Sequence, residues 1–187
     1  MDESSIYLVF SKTGTWLSRL IKVLTNHPYT HVALSLDSNF NNMYTFGRLN
    51  PNNPFYAGLT IENLYAGVYQ KAQYCESLIC KIPVTNEQLE KLIIEINKYY
   101  SSDIQYKYNF LGLFAVLLDK PWKRENRYFC SQFVTELLIN SDIWVSPKLP
   151  ELTRPIDLIH IDNKEIIFQG LTKELVSIDK TFSPIAL

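Results

Sequence analysis

The spacing of apolar residues predicts short strands toward both ends of the chain, with helices grouped between them. Ile6 to Phe10 is a continuous apolar run ended by Ser11-Lys12-Thr13-Gly14, a strand followed by a turn. Thr15 to Leu24 places Trp16, Leu17, Leu20, Ile21, Val23 and Leu24 at helical spacing, with Arg19 and Lys22 opposite. Asn26-His27-Pro28 stops that helix, because proline cannot continue it. Tyr29 to Asp37 alternates as a strand, with Val32, Leu34 and Leu36 on one face and His31, Ala33 and Ser35 on the other. The small residues beside His31 leave room for a helix end to pack close. A polar turn, Ser38 to Asn42, leads into a second strand, Met43 to Phe46, and the two form a hairpin.

Gly47 to Gly67 holds Pro51, Pro54, Gly58 and several asparagines, and reads as a long surface loop of the kind that carries function. Cys75 to Val84 is a longer strand. Thr85-Asn86-Glu87-Gln88 caps a helix that runs to about Tyr100, with Leu89, Leu92, Ile93, Ile96 and Tyr99/Tyr100 facing a core. Asn109 to Leu118 is a second, more apolar helix, closed by Pro121. A charged loop (Lys123, Arg124, Glu125, Asn126, Arg127) then runs into a third helix. Its apolar residues Cys130, Phe133, Val134, Leu137 and Leu138 follow the i, i+3, i+4, i+7, i+8 stripe of a core-facing surface. Beyond Pro147 and Pro150, strands are expected near Leu158–Ile161 and Glu165–Gln169. Because βαβ alternation is absent, the fold class is α+β, with a largely antiparallel sheet packed against helices. No internal repeat is visible, so residues 1–187 are read as a single domain.

Composition narrows the function mainly by exclusion. A net charge of -1 gives no electrostatic reason for a nucleic-acid or anionic-membrane partner. The longest apolar stretch, Phe110 to Leu118, is about half the ~20 residues of a membrane helix, so no stable membrane insertion is expected. Met1-Asp2-Glu3-Ser4-Ser5 lacks the basic start and apolar core of a signal peptide. Cys75, Cys80 and Cys130 form no CxxC pair, which disfavours a disulfide framework and points to a reducing, cytoplasmic setting. His27, His31 and His160 lack metal-ligand spacing, and no cofactor or metal is expected.

Within that frame Cys130 stands out, because it both opens the buried stripe and occupies the first helical turn. Unpaired backbone N–H groups and the helix dipole lower a thiol's pKa there, and the thiolate is the nucleophile. A cysteine nucleophile needs an imidazole within reach. His27 sits at a turn and His160 at a half-exposed position, whereas His31 begins a strand beside small residues. Cys75 and Cys80 are an odd number of residues apart and fall on opposite faces of a strand, both structural.

Tyr29-Thr30-His31-Val32-Ala33-Leu34-Ser35-Leu36, followed about 100 residues later by Tyr128-Phe129-Cys130-Ser131-Gln132-Phe133-Val134, resembles the permuted NlpC/P60 group of papain-like cysteine hydrolases, which includes the YiiX/YebB-like proteins. In that group the histidine strand precedes the cysteine helix, the reverse of papain and the order found here. Phe10-Ser11-Lys12 with Thr15-Trp16-Leu17, and Thr153-Arg154-Pro155-Ile156-Asp157-Leu158, also fit. The resemblance implies a circularly permuted papain-like fold, Cys130 as nucleophile and His31 as general base. It further implies that the backbone N–H of Cys130 helps to hold an oxyanion. Tyr128 and Tyr29 are candidates for a phenol donor or for the walls of the cleft. For the residue that orients the imidazole, the family pattern points to the strand after His31 and so to Thr45, with Glu62 as the alternative carboxylate. The function implied is hydrolysis of an amide bond in a small-molecule or peptide substrate. Two alternatives stand beside it: an acyltransferase or lipid/thioester hydrolase on the same dyad, and a non-catalytic binding protein.

Overall fold

A computed structural model of the chain describes residues 4–12, 28–50, 53, 55–72 and 74–175. The helix expected over Thr15 to Leu24, and His27, lie outside the described residues. The strands are β1 (Ser4–Lys12), β2 (His31–Ser35), β3 (Met43–Arg48), β4 (Ala57–Glu62), β5 (Glu76–Val84), β6 (Lys107–Tyr108), β7 (Arg127–Tyr128) and β8 (Glu165–Leu171). They join in one sheet of order β7-β6-β4-β3-β2-β1-β5-β8, antiparallel at every pairing except β6 with β7. The helices are α1 (Gly67–Lys71), α2 (Asn86–Tyr100), α3 (Phe110–Leu117), α4 (Cys130–Asn140) and α5 (Pro155–Leu158), with a 3-10 turn at Pro150–Leu152. This is the expected α+β arrangement. The whole described chain contains no helix long and apolar enough to cross a membrane.

Both faces of the central strands are covered. On one face Ile6, Leu8, Phe10, Val32, Leu34 and Phe46 pack with Leu92 and Ile96 of α2 and with Phe133, Val134 and Leu137 of α4. On the other, Val9, Ala33, Met43 and Ile79 pack with Leu64 and Tyr69. Two-sided burial explains why Ile6 to Phe10 reads as an unbroken apolar run instead of an alternation. It also relocates the helix: α4 packs on the Val32/Leu34 face, and Ala33 belongs to the opposite core. The room expected beside Ala33 and Ser35 is not what admits the helix.

Two further expectations are corrected. Gly47 to Gly67 is not one loop, since it contains β4, paired with β3 from Met43–Glu62 to Arg48–Ala57. Gly58 served as a loop signal in the sequence. In the fold it marks a close approach, because a Cβ there would lie 2.7 Å from the Tyr106 carbonyl where β6 joins. Leu158 to Ile161 is not a strand but the end of α5 and a turn, closed by Ile161 N–H to Leu158 O at 3.4 Å.

Local chemistry at the helix ends fits the sequence. Thr85 accepts from the Gln88 amide at 3.2 Å, and the Gln88 side chain accepts from the Thr85 amide at 3.0 Å, a complete capping box for α2. Asn109 caps α3, its Oδ1 accepting from the Gly112 amide at 3.0 Å. α4 has no side-chain cap at Phe129, so its first N–H groups stay available.

Candidate active site

Cys130 is the first residue of α4, and Ser131 beside it holds the helix end in place by donating its buried hydroxyl to the Thr153 carbonyl at 2.7 Å. His31 is the first residue of β2. The fold brings the two together, with the imidazole and the thiol close enough to shift each other's ionisation. His31 Nε2 is 2.9 Å from Glu62 Oε2, which leaves Nδ1 as the ring nitrogen for the sulfur. Glu62 ends β4, and its Oε2 also accepts from the Tyr69 hydroxyl at 3.0 Å.

Thr45, placed in the orienting role by resemblance, is fully buried, but its hydroxyl donates to the Val32 carbonyl at 2.8 Å. The contact to the imidazole is made by Glu62, the alternative. The physical reason is the register: Thr45 lies opposite Thr60 in the sheet, and only Glu62, a longer side chain from the next strand, reaches back to His31.

Electrostatics distinguish this cluster from the other thiols. Burial opposes a charged Cys130. The His31 hydrogen bond, the imidazolium charge and the backbone N–H groups of Val32 and Ser131 outweigh it and lower the thiol's pKa. His31 is likewise pushed down by burial, then carried well above its ordinary 6.5 by the charge of Glu62 and by hydrogen bonds to Cys130 and Glu62. Glu62 is buried, which raises its pKa, yet His31, Tyr69 and Arg48 bring it below its ordinary value. Cys75 and Cys80 are free, buried and raised by burial, with Cys75 in one core and Cys80 in the other.

One member of the cluster had no sequence signal. Tyr108, on β6, is buried at 7 % exposure, and its phenol lies against the Cys130 thiol. The two-residue parallel pairing of β6 with β7 places it there, reinforced by the Asn109 amide donating to Tyr128 O at 2.8 Å. A strand this short leaves no periodicity to read. Burial and the neighbouring thiol and carboxylate raise the Tyr108 pKa, so the phenol stays protonated as a donor. Of the phenols singled out from sequence, Tyr128 packs among Phe46, Tyr99 and Tyr106, and Tyr29 packs on Phe10. His160 is exposed on the turn after α5.

No family model matches the chain, and no curated protein matches it. Among solved structures, it is similar to a crystal structure described as the metalloprotein yiiX from Escherichia coli O157:H7, DUF1105. The two share 13% identity at a TM-score of 0.59, over 91% of this chain and 99% of that one. With the cluster of Cys130, His31 and Glu62 built on an eight-stranded mixed fold, the chain has a YiiX-like fold.

Proposed function

We propose that the protein is a cysteine hydrolase acting on an amide bond, built on a circularly permuted papain-like scaffold, with Cys130 as nucleophile and His31 as general base. The observation that carries this reading is the imidazole held between a thiol with lowered pKa and a buried carboxylate. Glu62, in preference to Thr45, is the orienting group: it accepts the Nε2 proton and leaves Nδ1 for the sulfur. The thiolate attacks the carbonyl carbon, and the oxyanion is met by backbone N–H groups at the start of α4. Protonated His31 gives its proton to the leaving amine, which departs as the acyl-enzyme forms. His31 then takes a proton from water, the resulting hydroxide attacks the acyl carbon, and the thiolate leaves. Tyr108, a protonated phenol on the sulfur, stabilises the thiolate between turnovers.

The test is iodoacetamide labelling of Cys130 from about pH 5 to about pH 9, in wild type and His31→Ala. A rate that persists below neutral pH in wild type and disappears in the variant supports the dyad. Labelling of Cys130 no faster than that of Cys75 or Cys80 sinks it.

A second reading, an acyltransferase or thioester hydrolase on the same dyad, is favoured by one specific feature. α3 follows directly from the Tyr108 strand and leaves Leu111 47%, Phe114 49% and Leu118 70% exposed, a stripe too apolar for an ordinary solvated face. A preference for long over short acyl thioesters, lost in Phe114→Ser, would select this reading. A threonine such as Thr45 would orient the imidazole weakly and favour the non-catalytic alternative; a carboxylate on His31 removes that support. The yiiX neighbour is described as a metalloprotein; among the described residues of this chain, no three His, Cys, Asp or Glu side chains are grouped to hold an ion.

A further inference from the structure

We infer that Tyr69 and Gly47 form a positioning pair that sets the Glu62 carboxylate, and through it the tautomer of His31; the inference rests on the Cys130–His31 reading above. Glu62 has a side chain only 13% exposed, so its oxygens depend on the few groups placed around them. Oε2 receives two donors, His31 Nε2 at 2.9 Å and the Tyr69 hydroxyl at 3.0 Å. Oε1 lies over Gly47, where an added Cβ would collide with it. One residue holds the carboxylate by a bond, and the other by leaving it space.

Tyr69 is built to do this without moving. It lies on α1, is 5% exposed, and packs in the second core with Met43, Leu64, Cys75 and Ile79. The chain reaches α1 through Gly67 at φ +62, a left-handed conformation that a side chain would strain although nothing stands within 4 Å of a Cβ there. The turn before it is tied to the core by Leu64 N–H donating to Phe40 O at 3.1 Å. A phenylalanine would satisfy that packing equally well. Beyond packing, the hydroxyl donates to Glu62 and lies by the buried Ser11 hydroxyl, and burial raises its pKa, so it stays a protonated donor.

The assignment makes Tyr69 act through Glu62, and a double-mutant cycle tests that. Tyr69→Phe keeps the ring and removes the donor. Gly47→Ala keeps both Tyr69 and Glu62 but displaces the carboxylate. Each should lower the His31-dependent labelling rate of Cys130 on the order of tenfold, as losses of an orienting partner do elsewhere. In a Glu62→Gln background neither substitution should have a further effect. A parallel readout is the hydrogen-bonded Nε2–H proton resonance of His31, present in wild type and lost or exchange-broadened in Tyr69→Phe and Gly47→Ala. That resonance reports the contact even if Cys130 proves unreactive, so failure of the hydrolase reading and failure of this one are separable. Unchanged Nε2–H resonances in both variants, or effects that simply add to those of Glu62→Gln, overturn the inference.

Discussion

Burial by itself would leave Cys130 a neutral thiol and His31 a neutral imidazole, since desolvation disfavours the charged form of each. What reverses both is Glu62, whose charge raises His31, and His31, whose charge lowers Cys130. Replacing Glu62 by Gln should therefore drop the His31 pKa sharply, because desolvation is then unopposed by a carboxylate; a histidine NMR titration measures it. Stability follows with a definite sign. His31 is raised, so its contribution is full below the unfolded value of 6.5 and is lost as pH rises through the folded pKa. Glu62 is lowered, so its contribution is full above the unfolded value of 4.5 and is lost as pH falls through the folded pKa. The wild type should exceed Glu62→Ala in stability by about 3 kcal/mol at a pH between those two values, with a smaller difference on either side. Urea midpoints across pH check this, and a difference that stays flat with pH would contradict the pairing. At this scale Cys130 and His31 stood out as candidates, because a cysteine opening a helix and a histidine opening a strand are local patterns, and the family resemblance paired them. Tyr108 and Tyr69 were not, because each meets its partner only across sheet pairings or between elements distant in sequence.

At the scale of elements, the cap of α3 and the placement of Tyr108 are joined. Asn109 is fully buried, caps α3 through Gly112, donates to the Trp122 carbonyl at 3.3 Å, and is chain neighbour to Tyr108. Asn109→Ala should cost about 1–2 kcal/mol in the urea midpoint and also slow Cys130 labelling, since Tyr108 loses its fixed neighbour. Thr85→Ala removes a cap of similar worth from α2, about 1 kcal/mol, with no effect on Cys130. Equal loss of labelling in both would mean that α3 has no special link to the site. The helices with capping residues, α2 and α3, were readable from sequence to within a residue or two. β4 was not, because glycine, proline and asparagine around it carry the same composition as a loop, and only its pairing partners on both sides make it a strand.

For the whole molecule, the sheet and α4 are held together by an aromatic cluster that also borders the site. Phe46 of β3 is fully buried and contacts Phe133 of α4 with ring centroids at 5.2 Å, Tyr128 at 5.2 Å and Tyr106 at 6.5 Å. Phe46→Ala should destabilise by about 3–5 kcal/mol, the cost of an aromatic cavity in a close-packed core, and lower the midpoint of thermal unfolding accordingly. A loss under about 1 kcal/mol would show that the cluster collapses to fill the space.

The chain's own pattern determined the α+β class, the β2–β3 hairpin and the capped helices, because these depend on neighbours within a few residues; it offered Cys130 and His31 as candidates, and the family resemblance paired them. It also set the order in which histidine strand and cysteine helix occur. Tertiary structure decided everything that depends on contact across the sheet. The sheet's two covered faces put α4 on the Val32/Leu34 side and Ala33 in the opposite core, where the sequence had left room for the helix. Register put Glu62 against His31 and turned Thr45 to the Val32 carbonyl. A two-residue parallel pairing brought a phenol to the sulfur. Periodicity reports which face of an element is apolar, whereas the meeting of two distant polar side chains is set by register and side-chain length, and neither leaves a local trace.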